Sequence, residues 1–396
     1  MAGVDTKGRA EQTVAGQRLG LLRRPERPVH LSVTVALVLF ALFGLPPLMS
    51  GYYTGYASLV AIYSIVTLGL GLLVGRVGLY SLGQGAVLQI GAWTGARLLF
   101  ATGQPFPVVI VEAGLVTMLI GTAIGLPAIR LRGLYLALIT LMFAGAITVI
   151  LLEAGLITMV AGLLIGLPAL RLRGLYLALI TLMLAGAITV VLATVNFPNG
   201  GHGFLGYNGG LIHIPPIRRP SVAAGDPAYF RYSVIVAVLM FLLVLAHIRT
   251  RPGRAWAAIR QSEPAALAAG INTWLYKLWA FALASFITGV AGGVLAGAVH
   301  YLYSIGFPTQ DSITLLAVVL MGGAYSLWGA VVAALLYQFL PALLNNWGVS
   351  ADWLIILFGL GVVQVLTTAP AGLADQVPRD LARLGRLLMR LRGDTG

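Results

Sequence analysis

The residues in this chain that could do chemistry are few, and their spacing excludes more than it offers. Lys7 and Lys277 are the only lysines, and neither ends a GxxxxGK[ST] pattern, the loop whose backbone N–H groups cradle nucleotide phosphates. Any ATP that drives this protein is therefore hydrolysed by another subunit, and the chain itself is expected to bind no cofactor. Five histidines, His30, His202, His213, His247 and His300, are scattered, form no HExxH pair and have no cysteine with which to share a metal. That pattern disfavours zinc and hydrolase chemistry and suits interfacial or loop histidines. With no cysteine, disulfide and thiol chemistry go too. Ion-coupled transport needs carboxylates inside the membrane. Glu112, Glu153, Asp311 and Asp352 are expected at the outer ends of apolar segments or in turns, which disfavours a proton- or sodium-driven carrier.

Two polar stretches remain. The first is GRVGLYSLGQGAVLQIGAW at 75–93, where five glycines and the polar Ser81, Gln84 and Gln89 interrupt an apolar run. Such breaks are tolerated inside a membrane only where protein covers the backbone or a cavity meets it. Gly78, Ser81, Gly83, Gln84, Gly85 and Gln89 are candidates for a translocation pathway; close helix packing is the alternative. Packing is the expected role of GLGLLVG at 69–75 and of Gly121-x-x-x-Gly125, Gly162-x-x-x-Gly166 and Gly289-x-x-x-Gly293-x-x-x-Gly297.

The second stretch, Arg249 to Lys277, reads RTRPGRAWAAIRQSEPAALAAGINTWLYK. Two short helices are written there. Trp256 and Ile259 share a face of the first, Ser262 can cap the second, Pro264 falls in its first turn, and Gly270 can end it. Neither helix is long enough to cross a bilayer, so the pair lies along the membrane surface or projects into a partner, with Arg254, Arg260 and Glu263 facing water or that partner. A basic loop touching anionic lipid is the other reading.

The elements that position these residues follow from composition. The chain of 396 residues is 59% hydrophobic and 9% charged, with a mean hydropathy of +0.93, which marks an all-α polytopic membrane protein. Apolar runs long enough for ~30 Å of hydrocarbon predict spans near 29–49, 56–74, 83–101, 106–128, 133–152, 154–170, 174–195, 230–248, 276–298, 310–325, 328–345 and 352–369. The segment His30 to Ser50 reads as a span, because the basic region before it is long and no small-x-small cleavage site comes after it. With the N-terminus inside, 21 of the 25 basic residues fall on the inner side, as the positive-inside rule requires. Both termini and the polar segment 249–277 are then cytosolic. The expected organisation is a basic tail at 1–28, a membrane domain at 29–370 with an extracytosolic Gly/Pro-rich loop at 196–229, and a basic tail at 371–396. A soluble protein could dock on that loop, or the loop could be a flexible connector.

Residues 112–152 and 153–193 match at 32 of 41 positions, a tandem duplication of a helical hairpin built around RLRGLY. One copy adds an even number of crossings and preserves everything downstream, giving twelve spans with it and ten without. The join is tight, and the run 153–170 is ~27 Å long as a helix, so a re-entrant or displaced second hairpin is the alternative. Deleting residues 112–152 is expected to leave a C-terminal reporter in the cytosol; a reporter that moves outside would contradict the hairpin reading.

In order along the chain, GLGLLVGRVGLYSLGQG, LRLRGLYLALITL, GGHG, GRAWAAIRQSEPAALAAGIN, LMGGAYSLWGAVVAA and APAGLA resemble the permease subunits of LIV-type ABC importers for branched-chain amino acids, specifically the larger of the two homologous permeases. The resemblance runs from residue 56 to 377. It implies alternating access, ABC ATPase subunits, a second permease and an extracytosolic solute-binding protein as partners, and the cytoplasmic membrane of a prokaryote as location. It also implies that the cytosolic segment is the coupling element seated in a cleft of the ATPase, carried here by Gly253, Arg254, Ile259, Arg260, Glu263, Ala265, Ala266 and Gly270. The duplicated hairpin is not typical of the family, and Arg76, Tyr80 and Gln84 stand where the family commonly has other residues. Permeases for urea, amides and other small polar solutes share the framework. A stand-alone carrier or channel is the reading from another class, and it would need no ATPase at 253–270.

Overall fold

The structure is a computed structural model that describes residues 28–128, 217, 219–299, 302, 310–348, 352–368 and 372–376. Among these residues every regular element is helical. The chain divides into two units, Met1–Ser50 and Gly51–Gly396. The first contributes α1, Pro28–Leu39, followed by a π turn, Phe40–Gly44, and a short helix, Leu45–Leu48. Its apolar stretch Ser32–Leu48 falls within the span expected at 29–49.

The second unit holds α2, Gly51–Gly71, which runs on through a π turn, Leu72–Val77, then α3, Gln84–Thr102, and α4, Phe106–Ala128. After residue 217 come α5, Asp226–Arg249, the short pair α6, Arg251–Gln261, and α7, Glu263–Ala268, and the long α8, Thr273–Val299. The remainder is α9, Gln310–Gly322, then α10, Leu327–Ala334, which continues through a π turn, Leu335–Phe339, into Leu340–Asn346, and α11, Asp352–Thr368.

Among the described residues, five helices are long and apolar enough to cross a membrane: Gly51–Val77, Phe106–Ala123, Asp226–Arg249, Thr273–Val299 and Leu327–Asn346. They fall on the spans expected at 56–74, 106–128, 230–248, 276–298 and 328–345. Helix α3 occupies the expected 83–101, but Gln84, Gln89, Thr94 and Arg97 keep it out of that apolar set, and all four are buried. Three expected spans, at 133–152, 154–170 and 174–195, lie outside the described residues, as do the second repeat copy, the N-terminal tail, most of the loop at 196–229 and most of the C-terminal tail.

Helix α8 is the centre of the second unit. Ala280, Ala284, Ala291, Gly292, Gly293 and Ala296 are buried along it, and its small residues let neighbouring backbones approach where lipid supplies no hydrophobic drive. Helix α3 runs parallel to it, with Gly91 against Gly289 and Gly95 against Gly293. Helix α4 runs antiparallel, placing Gly114 at Val290, Gly121 at Ser285 and Gly125 at Phe281. A Cβ at Gly91 would sit 2.5 Å from the Gly289 carbonyl oxygen. The packing role expected of Gly121, Gly125, Gly289 and Gly293 is what the geometry shows; Gly162 and Gly166 lie outside the described residues.

Helices α2 and α10 are also antiparallel. The Asn346 amide donates to the Tyr53 hydroxyl at 3.1 Å, the Tyr63 and Tyr337 rings lie 5.0 Å apart, and the Thr67 hydroxyl donates to the Ala330 carbonyl at 2.8 Å. Tyr63 and Tyr337 therefore sit near the middles of their helices. This corrects one expectation. Hydropathy places Asp311 at an outer span end, but its carboxyl meets the Tyr337 hydroxyl and lies close to Tyr63, half-way through the bundle. The physical reason is that hydropathy averages along the chain and takes no account of the side chains on neighbouring helices that fix this depth. Glu112 keeps its expected place near a helix end, beside Gln104 of the α3–α4 turn.

Candidate functional site

The segment joining α5 to α8 folds as the sequence predicts. Pro252 enters the first turn of α6, and the turn from α5 is so close that a Cβ at Gly253 would collide with the Ile248 carbonyl. Trp256 and Ile259 turn the same face inward and are buried. Ser262 stands between the two helices and its Oγ accepts from the Ala265 N–H at 3.3 Å, a side-chain N-cap for α7. At the far end Gly270 takes φ +77, and the Gly270 and Ile271 N–H groups donate to the carbonyls of Leu267 and Ala266 at 2.9 and 3.0 Å. This left-handed closure satisfies carbonyls that a helix end leaves open.

Side chains then fasten the pair to three neighbours. The Trp256 indole N–H donates to the Tyr276 carbonyl at 2.8 Å, and Lys277, itself buried, pairs with Glu263 at 2.5 Å. Both ties run to α8. Arg260 donates to the Gly75 carbonyl in the π turn of α2, and its guanidinium lies 4.1 Å from the centre of the Tyr325 ring in the α9–α10 turn. The last turn of a helix leaves carbonyls without partners and carries the negative end of its dipole, so a guanidinium there satisfies both. Gly75 is needed for the same junction, because a Cβ would collide with the Ala324 carbonyl.

Arg254 is exposed, as expected. Arg260 and Glu263 do not simply face outward, because the charged ends of both fold back onto this chain. The outward side of α7 is apolar and small: Pro264, Ala265, Leu267 and Ala268 are exposed, while Ala266 is buried.

The second candidate site is the start of α3. Gly78 takes φ +80 at the end of the π turn, and a Cβ there would lie 3.6 Å from the Arg260 side chain, so Gly78 belongs to the α6 junction. From there the chain rises to α3 through Ser81, which is buried and whose Oγ accepts from the Gly83 N–H at 3.4 Å. Gln84 opens α3, and its Oε1 accepts from the Thr288 hydroxyl at 2.8 Å. The Gly85 N–H donates to the Ser312 Oγ at 3.3 Å, and Gln89 is buried one turn on. Of the six expected residues, Gln84 and Gly85 thus meet Thr288 of α8 and Ser312 of α9, with Ser81 and Gly83 in the turn just before them.

Sequence reading missed Thr288, Ser312, Tyr63 and Tyr337, single polar residues within apolar helices. It also missed the roles of Gly75 and Tyr325, since a free carbonyl and a ring in a turn have no signature. The short apolar run after Asp311 was the available clue.

At the opposite end of α8, Arg219 donates to the Gly297 carbonyl at 3.1 Å and to Asp226 at 2.6 Å, and stacks 4.7 Å from the centre of the Tyr229 ring. Tyr229 donates in turn to the Val294 carbonyl. This cluster ties α5 to the far end of α8.

Comparison with known proteins places these features in a family. Residues 52–155 and 133–366 match the family described as branched-chain amino acid transport system / permease component; the two matches overlap across the join of the tandem copies. The high-affinity branched-chain amino acid transport system permease protein LivM of Escherichia coli (strain K12) is 29% identical over 341 residues, covering 86% of this chain and 73% of the relative. LivM of Salmonella typhimurium (strain LT2) is 29% identical over 319 residues, covering 80% and 68%. The ribose import permease protein RbsC of Bacillus subtilis (strain 168) is 28% identical over 134 residues, covering 33% and 41%. No solved structure matches. With its ordered helices, its short helix pair between α5 and α8 and a family match that runs through nearly all of the described bundle, the chain belongs to the branched-chain amino acid permease family, the multi-pass membrane subunits of ABC importers.

Proposed function

We propose that this chain is the larger of two homologous permeases in an ABC importer and moves branched-chain or similar hydrophobic amino acids across the cytoplasmic membrane. Both termini and the α6–α7 pair lie on the cytosolic side, where the ATPase subunits dock. A solute-loaded binding protein engages the other side. Gly253, Arg254, Ile259, Arg260, Glu263, Ala265, Ala266 and Gly270 form the coupling element, and Ser81, Gly83, Gln84, Gly85 and Gln89 border the solute path.

One observation carries the coupling role. The α6–α7 pair is fastened on one side to α2, α8 and the α9–α10 turn, and on the other presents exposed Pro264, Ala265, Leu267 and Ala268. A small apolar surface mounted on a rigid junction suits a joint that passes on rigid-body movement. Arg249, Arg251 and Arg254 face outward, as on a lipid-bound loop, but Arg260 and Lys277 are spent on internal ties and the outward side of α7 carries no charge.

The test is a substitution on the exposed face. Glu263→Lys would break the Glu263–Lys277 pair as well as any docking, so Leu267→Glu is the cleaner change. It is expected to cut recovery of the ATPase with the tagged permease by about tenfold or more, since a charge placed in an apolar contact costs more than about 1.4 kcal/mol. Unchanged recovery would place the ATPase elsewhere.

A further inference from the structure

An importer driven by ATP has no coupling ion to bind, so a carboxylate half-way through its membrane domain needs another occupation. Asp311 opens α9, and beside its carboxyl lie the Tyr337 hydroxyl and Tyr63. Its neighbour Ser312 is buried and accepts from the Gly85 N–H, and Gln84 is tied to Thr288. Polar groups from α2, α9 and α10 therefore meet within the membrane domain, next to the start of α3. Helix α9 packs against α2 and the π turn of α10, the Tyr63 and Tyr337 rings lie 5.0 Å apart, and Asp311, Tyr63 and Tyr337 each keep part of their surface exposed. Among the described residues, no lysine or arginine pairs with Asp311.

A carboxylate held in a low-dielectric interior is costly unless it meets a cation and hydrogen-bond donors. Two tyrosines supply hydroxyls and ring faces, and a ring face attracts an alkylammonium group. We propose that Asp311, with Tyr63 and Tyr337, forms a transient site for the cationic amino group of an amino acid passing through the permease. The proposal rests on the reading of this chain as an amino acid importer subunit. Ser312 and Gln84 tie the start of α3 to α9 and α8 beside this cluster, which makes them positioning residues.

The complete transporter, reconstituted in liposomes with its second permease, ATPases and binding protein, provides the test. Asp311→Asn is expected to lower L-leucine uptake by about tenfold or more while ATP hydrolysis stimulated by the loaded binding protein persists, and Asp311→Glu is expected to restore much of the uptake. Wild-type uptake in Asp311→Asn would overturn the proposal. A wild-type complex that hydrolyses ATP but moves no amino acid would instead overturn the functional reading beneath it.

A second measurement stands if the Asn variant does not assemble. Because the chain contains no cysteine, Asp311→Cys gives a single thiol. A trimethylammonium-bearing methanethiosulfonate is expected to label it from water in at least one nucleotide state. A control thiol at Leu239, exposed on α5, is expected to stay unlabelled. No labelling at 311 in any nucleotide state would overturn the site.

Discussion

Arg260→Ala is expected to uncouple the transporter: solute moved per ATP falls by about tenfold to a hundredfold, while the complex still assembles and still hydrolyses ATP. Arg260 stands where three elements meet. Its guanidinium satisfies the Gly75 carbonyl at the end of α2 and covers the Tyr325 ring in the α9–α10 turn, and α6 carries it. A hydrogen bond from a charged group contributes about 1.5–3 kcal/mol, and a cation over a ring adds about 0.5–2 kcal/mol. Removing both leaves the remaining ties, Trp256 to Tyr276 and Glu263 to Lys277, which reach only α8. Movement of the coupling element would then pass to α8 and no longer to α2 or to the α9–α10 turn. Lysine at 260 keeps the charge but not the planar fork that reaches carbonyl and ring together, so Arg260→Lys should fall between. Parallel measurement of uptake and ATP hydrolysis in liposomes decides the matter. An equal loss of both activities would make Arg260 a docking residue instead of a transmitter.

Gly292→Leu is expected to abolish recovery of folded protein. A Cβ at Gly292 would collide with the Leu88 carbonyl, and would also lie 2.6 Å from the Ala92 nitrogen. Both obstacles are backbone of α3, which cannot rotate out of the way. Adding atoms to a packed core costs about 1–3 kcal/mol even where side chains yield, and the change here must push apart two helices that pack along their glycines. With a total stability of about 5–15 kcal/mol, that loss is enough to send the protein to degradation. Gly359→Leu on α11 is the control, since nothing lies within 4 Å of a Cβ there. Fluorescence-detected gel filtration of tagged variants should show a normal peak for Gly359→Leu and none for Gly292→Leu.

The sequence told more about local structure than about what meets across helices. Ser262, Pro264 and Gly270 announce the boundaries of α7 because caps and breakers act within a few residues of themselves. The glycines spaced by four on α8 announce close packing for the same local reason. Charge alone would turn Arg260 and Glu263 toward water or a partner, but their ends turn inward to Gly75, Tyr325 and Lys277, partners brought in from other helices. Hydropathy sets Asp311 too far out because it takes no account of partners on other helices. Its depth follows only from Tyr63 and Tyr337, which lie far from it in sequence and beside it in the fold.

The claim on which these expectations rest is that the chain works as one subunit of an ATP-driven complex. Gentle-detergent purification of the tagged chain from its native membranes, with partners identified by mass spectrometry, tests it most directly. An ABC ATPase and a second, homologous permease are expected to co-purify, with the ATPase lost in Leu267→Glu. Recovery of the chain alone, under conditions that keep other membrane complexes intact, would show that it works without them.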